Sequence, residues 1–455
     1  MPSDEQDEKI TLLSFNTRPC WRTEPEIDAQ RQKYLSERHA IQADTKKGIY
    51  PFSNIDSKLT RADIEWLLIW LGPVDWSDKK KRERVGLDLR GADLRGLNLS
   101  NLPLMRILGG LNWDQWKRAT LEEREMAAPH LEGTNLSNAH LEGAILQGAH
   151  LEGADLRDAH LEGSKLYGAY LKNVFLRDAH IEEARLRDTH LEGARLVHAH
   201  LEGADLRGAF LDGGTDLAGV SLGNEKLGCA LLVDVHWSDA NLSLVDWTRA
   251  RKLGDEYLAR HREVSWGTDT TKKKAQRLDD HQTAVRAYRQ LANAMRAQGM
   301  SEEAIPFAYR AQILQRKVYL RQVRWGQVGL LETDTPQKGL RQSAKDLWRR
   351  FRRFGAYAFS WFLDILAGYG YKPGRSLFIY ILMIAVFATC YYLVGHLTPS
   401  EALIFSVTSF HGRGFLPGPF ALGSPITGLA AIEAVAGLFI EISFIATFTQ
   451  RFFGR

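Results

Sequence analysis

The chain has 455 residues, 25% charged and 44% hydrophobic, a balance that excludes global disorder. Lys and Arg number 59 against 55 Asp and Glu, and a net charge of +4 is too mild to mark a nucleic-acid partner. A mean hydropathy of −0.28 excludes a chain embedded in a membrane from end to end. Cys20, Cys229 and Cys390 lie far apart and suit neither a disulfide framework nor a metal cluster. The first nine residues are acidic and lack an apolar core, so no secretory signal is expected there. Residues 1–86 are read as a helical cap. It has one helix near Glu24–Ala43 and an amphipathic second near Thr60–Leu71, with Ile64, Leu67, Leu68 and Trp70 on one side.

From Leu131 to Leu211 an aliphatic residue recurs at every fifth position, and a small residue such as Ala139, Ala144, Ala149 or Ala154 stands two places before most of them. A period of five fits neither a helix nor a flat strand, and it demands a corner every five residues. Ala154-Asp155-Leu156-Arg157-Asp158 and Ala204-Asp205-Leu206-Arg207-Gly208 resemble the unit of the pentapeptide-repeat family. That resemblance implies a right-handed quadrilateral β-helix over residues 87–249, one unit per side. Leu89, Leu94, Leu99 and Leu104 open the series, and Leu217, Leu222, Leu227, Leu232, Trp237, Leu242 and Trp247 close it. Seven coils at the inter-strand spacing would give a rod of roughly 30–35 Å. Residues 105–130 interrupt the series with an inserted helix at Trp113–Ala127, and an extra residue near Gly213-Gly214 predicts a bulge.

The outward positions carry a ten-residue period. His130, His140, His150, His160, His180, His190 and His200 recur, each with a Glu two places on. Ten residues is half a coil, so His140, His160, His180 and His200 should share one column. The column reads either as a pH-sensing or metal-binding ladder or as a solvated surface left by repeat duplication. The solvated surface is the favoured reading, with His140, His160, His180 and His200 as candidate pH-sensing residues and with no metal and no cofactor expected.

Residues 250–340 are read as a helical linker whose His281–Arg321 stretch, turning at Gln298-Gly299-Met300-Ser301, resembles a single tetratricopeptide-type hairpin. Residues 341–375 alternate Arg349, Arg350, Arg352 and Arg353 with Trp348, Phe351, Phe354 and Trp361, the pattern of an interfacial helix on an anionic leaflet. Residues 376–455 contain two apolar stretches, Leu377–Gly395 and Gly428–Phe448, each long enough to span a bilayer. The basic residues flank the pair, which puts both termini and the repeat rod in the cytoplasm, at an inner (plasma) membrane.

Between the spans, Glu401 to Ser409 reads as a capped short helix running into Phe410-His411-Gly412-Arg413-Gly414-Phe415. Span, short helix, Gly-x-Gly loop and span resemble the two-transmembrane pore domain of potassium-channel-like proteins. Gly368-Tyr369-Gly370-Tyr371-Lys372-Pro373 further resembles bacterial channels that carry pentapeptide arrays. The resemblance implies a homotetramer with a re-entrant pore loop and places Ser409, Phe410, His411, Gly412, Arg413, Gly414 and Phe415 at the filter. Glu433 and Glu441 would line the pore or support the filter. The filter departs from the potassium pattern, because the Thr is missing and Arg413 stands where Tyr is usual. Arg413 either rings the pore mouth with positive charge or turns away to pair with Glu433.

The sequence therefore predicts a passive ion channel, anion-preferring or weakly selective, gated or assembled by the rod. Its partners would be further copies of itself, an anionic lipid leaflet and permeating ions, with no nucleic acid. The alternative is a non-conducting membrane scaffold whose rod binds a protein. No nucleophile, metal-hydrolase or phosphate-loop motif is present, so no enzyme is expected. DNA mimicry is disfavoured by the 14 acidic and 8 basic residues interleaved over 131–212.

Overall fold

Each five-residue unit ends in a tight turn, and that is what closes the chain into a coil. In the unit beginning at Leu141, the Ala144 amide donates to the Leu141 carbonyl at 3.0 Å, and Gly143 between them has φ +64°. This turn position needs a positive φ, which Gly, Asn and Asp tolerate best. Asn138, Asp158, Asn173, Asp178 and Asp188 fill it elsewhere at φ 54° to 56°. From His130↔His150 to His190↔Phe210, every parallel bridge joins residues twenty apart. Four five-residue sides therefore make one coil. The aliphatic series from Leu131 to Leu211 is buried, with Ala139, Ala144, Ala149 and Ala154 fully buried beside it.

The computed structural model describes residues 19–53, 58–71, 86–250, 252–260, 274–325, 340–412 and 425–452. It divides into two compact units, 1–257 and 258–455. In the first unit, helix α1 (Ala29–His39) starts later than Glu24 because Asp28 caps it, its carboxylate accepting from the Arg31 amide at 2.7 Å. Helix α2 (Arg61–Trp70) opens on a reciprocal Thr60–Asp63 capping box. The cap meets the first coil directly. Ser53 pairs with Ala92, and Arg61 donates to the Asn98 and Ser100 carbonyls at 3.0 and 3.2 Å.

The rod corrects three sequence expectations. Coil pairing continues beyond residue 105, with Leu108 bridging both Asp88 and Ile145. Gly109 takes the inward place five after Leu104, where a Cβ would press on the Leu146 side chain at 2.8 Å. The insertion is two helices, α3 (Trp113–Arg118) and α4 (Leu121–Ala127), because Thr120 forms a second capping box with Glu123. Leu227 is not a repeat unit. Bridges Asp205↔Leu231 and Phe210↔His236 skip five more residues than the one-residue slip at Arg195↔Asp216. The surplus forms a hairpin of β1 (Gly223–Asn224) and β2 (Gly228–Cys229), whose turn is held by Asn224 Oδ1 accepting from the Lys226 and Leu227 amides. The slip itself lies at Gly213-Gly214, where Asp212 accepts from the Gly193 and Gly214 amides. The rod runs into α5 (Gly254–Arg260).

In the second unit, α6 (Lys274–Ala297) and α7 (Ser301–Trp325) form a hairpin about Gly299, φ +79°. Tyr288, Leu291, Met295, Ala304, Phe307 and Leu314 are buried between them. Helix α8 (Leu340–Ala367) is amphipathic, and its Trp348, Phe351, Phe354, Phe359 and Trp361 are exposed. It ends short of residue 375, because Gly368, Tyr369 and Gly370 all have positive φ and Pro373 starts the next helix. Asp364 fastens the joint, accepting from Tyr309 at 2.9 Å, Arg316 at 2.7 Å and Arg375 at 3.4 Å. Three helices follow: α9 (Pro373–Gly395), α10 (Pro399–Phe410) and α11 (Pro425–Phe452). The stretches Gly374–Gly395 and Pro425–Ile445 are long and apolar enough to cross a bilayer.

Candidate functional site

Helix α10 exists because Thr398 and Glu401 cap it reciprocally and Pro399 fixes its first turn. Its buried stripe is Ala402, Phe405, Ser406, Ser409 and Phe410, spaced three and four apart, facing α9 and α11. Twelve residues rise ~18 Å, too short to cross a ~30 Å hydrocarbon core. Gly437 on α11 permits the close approach, since a Cβ there would overlap the Phe410 carbonyl.

Two carboxylates organise this site. Glu433 is fully buried, with Tyr391 of α9 donating to its Oε2 at 2.7 Å and Ser406 of α10 at 2.5 Å from its Oε1. Both of its oxygens are thus engaged by hydroxyls behind the short helix. Arg413, for which pairing with Glu433 is one of two readings, lies outside the described residues, as do Gly414 and Phe415. Glu441 is half-exposed and meets His411 at 2.5 Å through Nδ1, while Tyr380 of α9 lies 3.1 Å from Nε2. His411 ends α10, and Gly412 follows with φ +68°. The end of the short helix is therefore pinned to both apolar helices at the point where the chain turns. Ser409 and Phe410 are buried, His411 and Gly412 exposed.

On the rod, the histidines form two columns. His140, His160, His180 and His200 stack with centroids 4.7 to 5.0 Å apart and planes within 4°. The other column runs His130, His150, Tyr170, His190, Phe210 and His236, at 4.5 to 5.1 Å. The ring spacing follows the coil spacing, because each ring stands on a bridged backbone position. Each uninterrupted-column imidazole turns Nδ1 toward the Glu two residues on, at 2.9 Å for Glu142 and 3.2 Å for Glu162. The second oxygens of Glu142, Glu162, Glu182 and Glu202 are buried and meet no hydrogen-bond donor. A third outward pattern is purely structural: Arg90, Arg95, Arg157 and Arg207 each fork onto the Asp two residues earlier.

Sequence reasoning missed the Ser406–Glu433–Tyr391 and Tyr380–His411–Glu441 groupings. Their members lie 27 to 42 residues apart, and no local periodicity joins them. The available signals were Glu433 and Glu441, the carboxylates singled out in an apolar span, and Ser406 on the inner stripe of a short apolar helix.

A family model described as pentapeptide repeats matches eight copies over residues 134–173 and 176–213. The chain is similar to the crystal structure of a pentapeptide repeat protein from the Arabidopsis thaliana thylakoid lumen: 26% identity over 31% of this chain and 85% of that one, TM-score 0.22. It is also similar to a pentapeptide repeat protein of the cyanobacterium Cyanothece 51142: 31% identity over 30% of this chain and 91% of that one, TM-score 0.13. A third is HetL of Nostoc sp. strain PCC 7120, at 21% identity over 39% of this chain and 79% of that one, TM-score 0.16. No curated protein matches the chain.

Proposed function

We propose, for a chain that belongs to the pentapeptide-repeat proteins, that its helical C-terminal region forms a passive ion-conducting pore in a membrane. The observation that carries this reading is α10: a capped helix too short to span, held between two span-length apolar helices, ending in a pinned His411 and a left-handed Gly412. Irregular backbone at membrane depth is tolerated only where protein or water surrounds it. One copy leaves α9 and α11 mostly uncovered, with Ile381, Val386, Ile432 and Ile442 exposed. Several copies around an axis, four by resemblance, would shelter the loop and line a water path. Basic residues before α9 and at the end of α11, against Arg413 alone between them, support an arrangement with both ends cytoplasmic.

Arg413 sets the expected ion preference. A guanidinium ring at the mouth opposes cations, so the filter is read as anion-preferring or weakly selective. The rod is then read as a module that assembles subunits or senses a signal and biases the inner helices. The competing reading is a scaffold that does not conduct, favoured by the loss of the usual filter threonine. Current across a planar bilayer under asymmetric KCl separates the two. A reversal potential that shifts toward cation preference in Arg413→Ala supports the channel and places Arg413 at its filter. Silence from correctly assembled full-length protein and from a variant lacking residues 1–257 supports the scaffold.

A further inference from the structure

The uninterrupted histidine column presents more ligand atoms than an inert surface requires. His140, His160, His180 and His200 are each partly exposed, and successive coils hold the rings parallel at 4.7 to 5.0 Å. The carboxylates two residues on complete the arrangement: one oxygen faces the ring nitrogen and the other is buried with no donor. The backbone bridges His140↔His160, His160↔His180 and His180↔His200 fix this spacing. The side chains thus stand close together before any ligand arrives.

Three sets bring donor atoms within 4.8 Å of one another: His140–Glu142–His160, Glu162–His180–Glu182 and Glu182–His200–Glu202. Imidazole nitrogen with carboxylate oxygen is the donor mixture of zinc and its first-row neighbours, whereas calcium and magnesium favour oxygen alone. A cavity of about 750 Å³ between the N-terminal cap and the first coils opens onto His140 and His160, giving an ion a path to that end of the column.

We propose that the His140–His160–His180–His200 column is a binding site for divalent transition-metal ions. The second and third sets share Glu182, so they are counted as one site, and with the first set the expected stoichiometry is two. The column holds two ions. The other column, interrupted by Tyr170 and Phe210, offers one comparable set at Glu132–His150–Glu152, where Glu125 already occupies His150 Nε2 at 2.9 Å. The inference does not depend on whether the C-terminal region conducts.

The test is Zn²⁺ titration of the full-length protein in detergent against a chromophoric chelator. The variant carrying His140→Gln, His160→Gln, His180→Gln and His200→Gln is expected to lose two tight equivalents, each weakened at least tenfold. A His198→Gln/His236→Gln control should keep them, and a hundredfold excess of Mg²⁺ should not compete. Glu182→Gln alone, an outward change that leaves every imidazole in place, should lose one equivalent. Unchanged far-ultraviolet circular dichroism in both column variants assigns the losses to ligands. Equal stoichiometry in wild type and the fourfold variant, no tight binding in wild type, or displacement by Mg²⁺ overturns the proposal.

Discussion

A leucine pointing into this rod has no way to relax when it is shortened. Leu161 is 1% exposed and sits between the inward residues of neighbouring coils, whose backbones are tied at every side. Leu161→Ala removes buried methyl groups and leaves a cavity the rigid coil cannot close, a cost of about 3 kcal/mol. The rod's melting temperature should fall by roughly 10 °C, measured by circular dichroism. A fall under ~2 °C would mean the coil collapses around the gap. Inward positions were legible because the five-residue period is carried by aliphatic side chains. The reading failed where the side chain and the backbone disagreed. Gly109 holds an inward place without a side chain to announce it, and Leu227 keeps the period while Asn224 and Gly228 fold it into a hairpin. The histidine columns were equally legible, since a ten-residue period on a twenty-residue coil can only produce stacks. Glu433 was legible from its place in an apolar span, but its hydroxyl partners Tyr391 and Ser406 were not, because tertiary packing alone unites them with it.

Elements in this chain begin and end on identifiable caps, and those caps explain most boundary differences. Thr120 splits the inserted segment, Asp28 delays α1, and three consecutive positive φ values stop α8 before the residue the charge pattern suggested. The α6–α7 hairpin contains a buried pH-sensitive group. Burial pushes the His281 imidazole down to about 4, and the Arg321 and Lys317 charges of α7 act in the same direction. Unfolded, the ring has the ordinary histidine value of about 6.5. Between these values the unfolded chain takes a proton that the folded hairpin refuses. Stability therefore falls as pH drops through that window, by at most about 3 kcal/mol. His281→Gln should flatten the slope of stability against pH between 6.5 and 4, read from denaturant midpoints at half-unit steps. An unchanged slope would assign the acid sensitivity to carboxylates elsewhere in the unit.

At the scale of the whole chain, two cores of different kinds lie in one sequence. The first unit, 1–257, is a stack in which each coil contacts its neighbours, so local losses spread along the rod. The second, 258–455, exposes Phe378, Leu382, Leu438 and Phe439 on helices that need an apolar surrounding. Heating the full-length protein in detergent should then give two transitions, of which only the second responds to exchange of detergent for lipid nanodiscs. Leu161→Ala should lower the first and leave the second in place. Tyr391→Phe should do the reverse: it keeps the ring packed against Phe405 but removes the hydroxyl from Glu433, leaving a buried carboxylate oxygen unpaired at a cost of roughly 1–3 kcal/mol. Calorimetry of the three proteins decides the matter. A single transition that both substitutions lower together would show that rod and helices unfold as one body. In that case a ligand bound anywhere on the rod would stabilise the apolar helices by mass action, without any separate coupling device.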